Sequence, residues 1–430
     1  MPSSLPPLAL PLARAAFGLS AFVGLCWLFS ERRRQVAWGA AAWTLAVQVL
    51  LAVLTHNVAR VRSGFLWASD GIGQLKDATL VGTSFVFGYV GGAPPPFVVA
   101  DGKHNFVFAL QALPMVIVVS ALSMVLFHLR VLPVLVAGSA WLLRRTLGIG
   151  GALGVCAAAK VFLGQTEAPL LVRPYLKDLT RGELFSVMTL GMATTSASVM
   201  VLYATVLEGV VAHPMSHILT ASIISVPAAL CFSRILVPHG DRATEGSVVS
   251  PYSFSGIMDA ITTGATDGMK LFLSIIALLL TMLSLVALTN AVLGHLVWQG
   301  EPLGLERILG WCTAPVCWLM GLPWAEAQAA GRLLGIKLAL NEVLAFVRMA
   351  ELPAEQLGEG GRLMMLYALS GFANLGSIGI QIGGLGAMVP ERRAEIIALG
   401  PKSMAAGALA SCSSALVIYA MLRCSAALGA

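Results

Sequence analysis

The sequence predicts an all-α polytopic membrane protein, and three observations carry that prediction. The chain is 57% hydrophobic and only 11% charged, with a mean hydropathy of +0.84, more apolar surface than a soluble chain of 430 residues could bury. Apolar runs long enough to cross a bilayer recur at about 8–29, 35–54, 105–127, 184–208, 215–237, 267–296, 363–388 and 401–422. Basic residues lie between these runs rather than in one patch, as membrane topology requires. The fold expected is eight transmembrane helices plus two re-entrant helical hairpins of opposite entry, built as inverted repeats, with interfacial helices between them.

The first run carries one Arg, ends at Glu31-Arg32-Arg33-Arg34 and has no small-residue cleavage site, so it reads as a retained helix rather than a signal peptide. The formal charge of +6 is scattered over loops, which argues against a nucleic-acid partner and for a lipid one. Its clusters are Arg32 to Arg34, Arg130 with Arg144 and Arg145, Arg173 with Lys177 and Arg181, Arg234 with Arg242, and Arg392 with Arg393. All of them fall in the cytoplasm if both termini are extracytoplasmic. Two apolar pairs, about 149–176 and 311–350, then start and finish on one side, the first entering from the cytoplasm and the second from outside. Residues 56–92 and 251–266 are too rich in Gly, Ser, Thr and Asp to span and read as interfacial helices, with Gly91-Gly92-Ala93-Pro94-Pro95-Pro96 as a turn.

Gly164-Gln165-Thr166-Glu167 sets a carboxylate, an amide and a hydroxyl where hydrocarbon is expected. Unpaired polar groups cost several kcal/mol each in lipid, so such a break survives only against protein, water or ligand. Glu167 lies 32 residues before Val199, inside the broken helix Gly191-Met192-Ala193-Thr194-Thr195-Ser196-Ala197-Ser198-Val199. Glu342 lies 32 before Asn374, inside Gly371-Phe372-Ala373-Asn374-Leu375-Gly376-Ser377. A polar-tipped hairpin followed by an interrupted helix, present twice, points to a midplane site in a secondary transporter. Gln165 offers donors and an acceptor in one plane, suited to a base edge, and Thr166 can donate or accept. Glu342 and Asn374 are acceptor-rich and suit a sugar diol, and Phe372 offers an apolar face to a planar ring. The constellation fits a neutral polar molecule with a flat part and a diol part.

Competing chemistries have weaker support. His213-Pro214-Met215-Ser216-His217 has the spacing of a metal pair, but Pro214 sits between the histidines and no acidic or Cys partner follows. Gly148-Ile149-Gly150-Gly151-Ala152-Leu153-Gly154 follows no strand and is not a dinucleotide fingerprint. Seven dispersed cysteines, mostly within apolar runs, give no disulfide framework. No nucleophile–base pairing is evident, so an enzyme is not expected, nor a cofactor; polar residues concentrate at breaks rather than along a channel-like stripe.

Gly164 to Leu170, the broken helix through Val199, Asn341-Glu342 and Gly371 through Ile380 resemble the concentrative nucleoside transporter family. Ser84-Phe85-Val86-Phe87-Gly88 and Leu113 to Val118 extend the likeness to nearly the whole chain from about residue 70. The resemblance implies a homotrimer with a scaffold and a mobile transport domain, moving nucleoside by an elevator-like motion coupled to a cation gradient. Residues 1–68 would supply N-terminal transmembrane helices and 69–148 an interfacial and a scaffold helix; 149–208 would form the first hairpin and broken helix of the transport domain. Residues 209–310 would add scaffold helices and an interfacial helix, 311–388 the second hairpin and broken helix, and 389–430 the C-terminal transmembrane helix.

The resemblance also assigns Gln165 and Thr166 to the nucleobase, with Glu167 close by and Val199 packing on the ring; Glu342, Asn374 and Ser377 hold the ribose, and Phe372 lines the pocket. It assembles the cation site from Lys160, Leu163, Thr194 and Thr195, where sodium-coupled relatives carry a neutral polar residue such as Asn in place of Lys160. An ammonium has donors only and repels a nearby cation, so a proton is the expected coupling ion, with sodium the alternative. Lys160, Glu167 and Glu342 are the titrating candidates. Short loops and the basic pattern fit a bacterial inner membrane.

Overall fold

A computed structural model describes residues 9–98, 107–239, 244–247, 249, 252–298 and 300–428. Arg242 and the outermost residues of the expected segments, at 8, 105–106 and 251, lie outside the described residues. The chain is α-helical, as expected, with a two-residue antiparallel pair, β1 (Val297–Trp298) and β2 (Glu301–Pro302), as a hairpin tip.

Eighteen α-helices follow in order among the described residues. The first half holds α1 (Ala9–Leu28), α2 (Trp38–Asn57), α3 (Ala59–Phe87), α4 (Phe108–Gln111), α5 (Met115–His128), α6 (Val131–Leu147), α7 (Gly151–Ala159), α8 (Glu167–Leu170), α9 (Arg181–Ala193), α10 (Ala197–Val206) and α11 (Pro214–Leu236). The second holds α12 (Ile257–Leu293), α13 (Leu305–Leu319), α14 (Trp324–Ala339), α15 (Glu342–Glu351), α16 (Glu359–Leu369), α17 (Leu375–Met388) and α18 (Arg393–Leu428). The order α6 to α11 is matched by α13 to α18: a helix, a hairpin arm, a short arm, two half-helices and a long helix.

Among the described residues seven segments are long and apolar enough to cross a membrane, and eight if α6 and α7, bent by 119° at their junction, count as one. Burial separates them into layers. In the segment formed by α9 and α10, 89% of the most apolar stretch is buried, against 12% for α12, so α9 to α11 form the centre and α12 lies outside. One charge cluster pins the ends of this core. Glu31, just after α1, accepts from Arg181 of α9 at 3.0 Å and Lys402 of α18 at 2.7 Å. The Arg181 hydrogen bond above all holds the Glu31 carboxyl down at about 2, below its ordinary 4.5.

Two segments differ from the expectation. Residues 257–266 are not a separate interfacial helix but the first turns of α12, which runs 37 residues without a break. Its polar side chains are satisfied internally: Thr262 donates to the Met258 carbonyl at 2.9 Å and Thr266 to that of Thr262 at 2.8 Å. Gly264 and Gly268 pack against the α5 backbone at Ala121 and Ile117, where a Cβ would sit 2.6 Å away, so polarity here serves close helix packing. Second, 311–350 is not one pair. It spans most of α13, all of α14 and most of α15, because Gly321 and Pro323 stop α13 and start α14 against it. The break expected within 363–388 is present, at 370–374, and leaves α17 14 residues long.

Candidate functional site

Four interruptions converge on one cavity. At the first, α7 ends at Ala159 and the chain stays irregular until α8 begins at Glu167. The Glu167 carboxylate turns back and accepts from the Gly164 N–H at 3.0 Å, closing the tip on itself. At the second, α9 stops before 194–196 and the Ala197 N–H donates to the Phe162 carbonyl at 3.2 Å, which joins the broken helix to the tip. At the third, Asn341 caps α15 by accepting from the Leu344 N–H at 2.8 Å. At the fourth, Asn374 caps α17 by accepting from the Ser377 N–H at 2.7 Å. Asparagine suits both places, since its side chain replaces the backbone partners that a helix start lacks.

The cavity measures about 180 Å³. Gln165, Thr166, Glu167, Val199, Glu342, Phe372, Asn374 and Ser377 all line it, so the structure brings together the eight residues expected at a substrate site. Leu271, Ile275 and Leu279 of α12 form an apolar wall at helical spacing.

Glu342 is the electrostatic centre. Only 5% exposed, its carboxylate accepts from the Tyr203 hydroxyl and from the Asn374 Nδ2, each at 2.7 Å. These contacts use two of about four lone-pair directions and leave acceptor capacity toward the cavity. Behind it, Lys337 is fully buried and donates to the Ala368 carbonyl at 2.7 Å, in the last turn of α16. Gln165 carries the complementary feature: its Oε1 is buried without a hydrogen-bond partner among the described residues. An orphaned buried acceptor costs about 1–3 kcal/mol, which a ligand N–H would recover.

The residues expected around a cation divide. Leu163 lines a neighbouring small cavity with Glu167 and Ser198. Lys160, Thr194 and Thr195 are buried behind the substrate cavity rather than lining it. Thr194 donates to the Leu190 carbonyl of its own helix at 2.8 Å, whereas Thr195 Oγ1 and Lys160 Nζ have no hydrogen-bond partner among the described residues. Lys160 lies within electrostatic reach of Glu167. In its charged form Lys160 offers donors only and no lone pair for a metal ion, whereas Thr195 offers a hydroxyl oxygen.

Sequence reasoning missed Tyr203 and Gln381, and it placed Asn341 in a motif without giving it a role. Tyr203 stands four residues after Val199, one helical turn along the same face, which was a usable signal. Gln381 donates to the Met188 carbonyl at 2.8 Å across the two broken helices. Its closeness there needs Gly191, where a Cβ would lie 2.6 Å from Gln381 Nε2 and 3.3 Å from Gln165 Cβ. No local pattern announced that contact. Of the histidine pair, His217 Nδ1 lies 3.0 Å from the Tyr367 hydroxyl.

Comparison with known proteins follows the same order along the chain. Profiles described as Na+ dependent nucleoside transporter N-terminus and C-terminus match residues 17–90 and 217–418, and one described as Nucleoside recognition matches 109–209. The chain is 33% identical to the uncharacterized transporter YutK of Bacillus subtilis over 93% of this chain and 97% of that one. It is 32% identical to the nucleoside permease NupC of Helicobacter pylori, over 93% and 95%. Against sodium/nucleoside cotransporter 1 of Mus musculus it is 32% identical over 93% of its own length but 62% of the longer mouse chain. The solved structure of CNTnw in an inward-facing substrate-bound state superposes with a TM-score of 0.87 at 33% identity, covering 95% of this chain and 98% of that one. A substituted CNTnw in an outward-facing state gives 0.89 at 33% identity, covering 96% and 98%.

Proposed function

Because the chain belongs to the concentrative nucleoside transporter family, we propose that it imports nucleosides as a proton symporter, by elevator-like alternating access, without sodium. One observation carries the coupling: Lys160, buried and without a hydrogen-bond partner, stands where the resemblance puts a neutral cation ligand. When protonated, it carries the charge that a bound cation would supply there, and it repels one. Nucleosides are neutral, so uphill uptake then needs a proton, with Lys160, Glu167 or Glu342 taking it up.

Substrate chemistry rests on the cavity. Glu342 and Asn374, with Ser377 beside them, face a ribose diol; Gln165 and Thr166, with Glu167 close by, read the base edge; Val199 and Phe372 cover the ring. This reading draws support from the free lone pairs of Glu342 and the orphaned Gln165 oxygen. Residues 149–208 and 311–388 form the moving transport domain, its hairpins re-entrant and of opposite entry, and α3 lies at the interface. The matched helix order of the two halves supports this inverted repeat. The exposed apolar face of α12, with Leu273, Leu280, Leu288 and Val292 more than half exposed, supports residence in a lipid bilayer, and the homotrimer rests on the family resemblance. The membrane is a bacterial inner membrane, with both termini outside.

Uridine uptake into cells in sodium and in choline buffers tests the coupling. Equal rates, both abolished by a protonophore, support it, and strict sodium dependence contradicts it. Sodium symport by the same fold is the second reading, favoured by the Na+ dependent description of the matching profiles and by the unpaired Thr195 hydroxyl.

A further inference from the structure

A second cavity, of about 230 Å³, opens between the start of α1, the α13–α14 turn and the end of α18. It shares no lining residue with the substrate cavity. Its walls are apolar, with Pro11, Ala15, Leu416 and Ala420 among them, and it carries two arginines, Arg14 and Arg423. Both are exposed, and neither has a carboxylate partner among the described residues. Arg423 is held in place: its Nε and Nη2 donate to the Tyr419 hydroxyl at 3.0 and 2.6 Å. The Arg423 guanidinium also lies over the Tyr419 ring, 5.1 Å from its centroid; a phenol is neutral, so these contacts fix the orientation without a counter-charge.

Two like charges lining one apolar cavity favour an anion there, although water screens them at their exposed ends. The surroundings indicate which anion. Trp318 and Trp324 flank the turn, 46% and 53% exposed, and Phe17 of α1 packs edge-on against Trp318 with ring centroids 6.3 Å apart. Exposed tryptophans at the ends of apolar helices mark the headgroup level of a membrane. A free phosphate would use the arginines and leave the apolar walls wet, whereas a phospholipid uses both. We propose that this cavity binds one anionic phospholipid, its phosphate between Arg14 and Arg423 and an acyl chain along Leu416 and Ala420. The lipid would then hold α1 against α18. This site is independent of the nucleoside reading.

Native mass spectrometry of the purified full chain tests it, with phosphatidylglycerol and phosphatidylcholine of identical acyl chains offered together. Preferential retention of phosphatidylglycerol is expected. At roughly fivefold per basic group near an anionic headgroup, Arg14→Gln with Arg423→Gln lowers that preference about 20- to 30-fold, while the Arg→Lys pair keeps most of it. If the double variant fails to fold, Arg14→Gln alone, at an exposed side chain, is expected to lose roughly fivefold. Equal preference in wild type and in the folded Gln variants, equal retention of the two lipids, or full displacement of the lipid by inorganic phosphate overturns the proposal.

Discussion

Asn374 joins Glu342 to the helix it caps: its Nδ2 donates to Glu342 Oε2 at 2.7 Å while its Oδ1 accepts from the Ser377 N–H at 2.7 Å. A flipped amide would set oxygen against carboxylate, so the two contacts fix one orientation. The carboxylate expected to meet the ribose is therefore tied to the start of α17. Movement at one is felt at the other.

Asn374→Ala removes both contacts. Loss of the cap alone costs about 0.5–2 kcal/mol, and Glu342 loses a partner inside a buried site. A lower melting temperature in detergent together with weaker nucleoside binding is expected; wild-type stability would show that the cap carries no weight.

Glu342→Gln keeps the shape of the side chain and removes the charge. Its contacts to the Tyr203 hydroxyl and to Asn374 are charge-assisted, as the proposed contact to the ribose would be, so nucleoside binding is expected to weaken by about 1.5–3 kcal/mol, measured by titration calorimetry. Unchanged affinity would remove Glu342 from the ribose site.

Gly191→Ala tests the crossing of the two broken helices. The new methyl would meet Gln381 Nε2 at 2.6 Å, and overpacking of this kind costs about 1–3 kcal/mol. Reduced thermal stability and slower uptake are expected. Gln381→Ala in the same chain, which removes the obstructing amide, is expected to return part of the stability, and no recovery would mean that the crowding lies elsewhere.

Acid sensitivity is expected at the end of α11. His239 faces Ser186 at 2.7 Å, and burial, reinforced by nearby Arg234, lowers its pKa from 6.5 to about 4. The unfolded chain takes up this proton first. The neutral ring therefore contributes its full stability above pH 6.5, and that contribution is lost as pH falls through about 4. The slope is at most about 1.4 kcal/mol per pH unit. His239→Gln, which cannot titrate, is expected to flatten thermal stability across this window, and an identical slope in that variant would assign the acid sensitivity to another group.

Much of this architecture was legible because lipid permits few solutions. A carboxylate in an apolar run must face a partner, and the 32-residue spacing of Glu167 to Val199 and of Glu342 to Asn374 located both breaks before any coordinates. Helix extents were harder. The Thr, Gly and Asp at the start of α12 look interfacial in one dimension, yet the threonines bond within the helix and the glycines admit α5. Contacts between distant segments were the least accessible. Tyr203 with Glu342 and Gln381 with Met188 depend on how the halves dock, which periodicity does not encode.

The most direct measurement is uptake of uridine, cytidine, adenosine and guanosine into proteoliposomes under separately imposed sodium and proton gradients. Accumulation of at least one nucleoside, driven by an inward proton gradient and unchanged when sodium replaces choline, is the result expected if Lys160 stands in for the ion. Accumulation that requires a sodium gradient and ignores the proton gradient would contradict it.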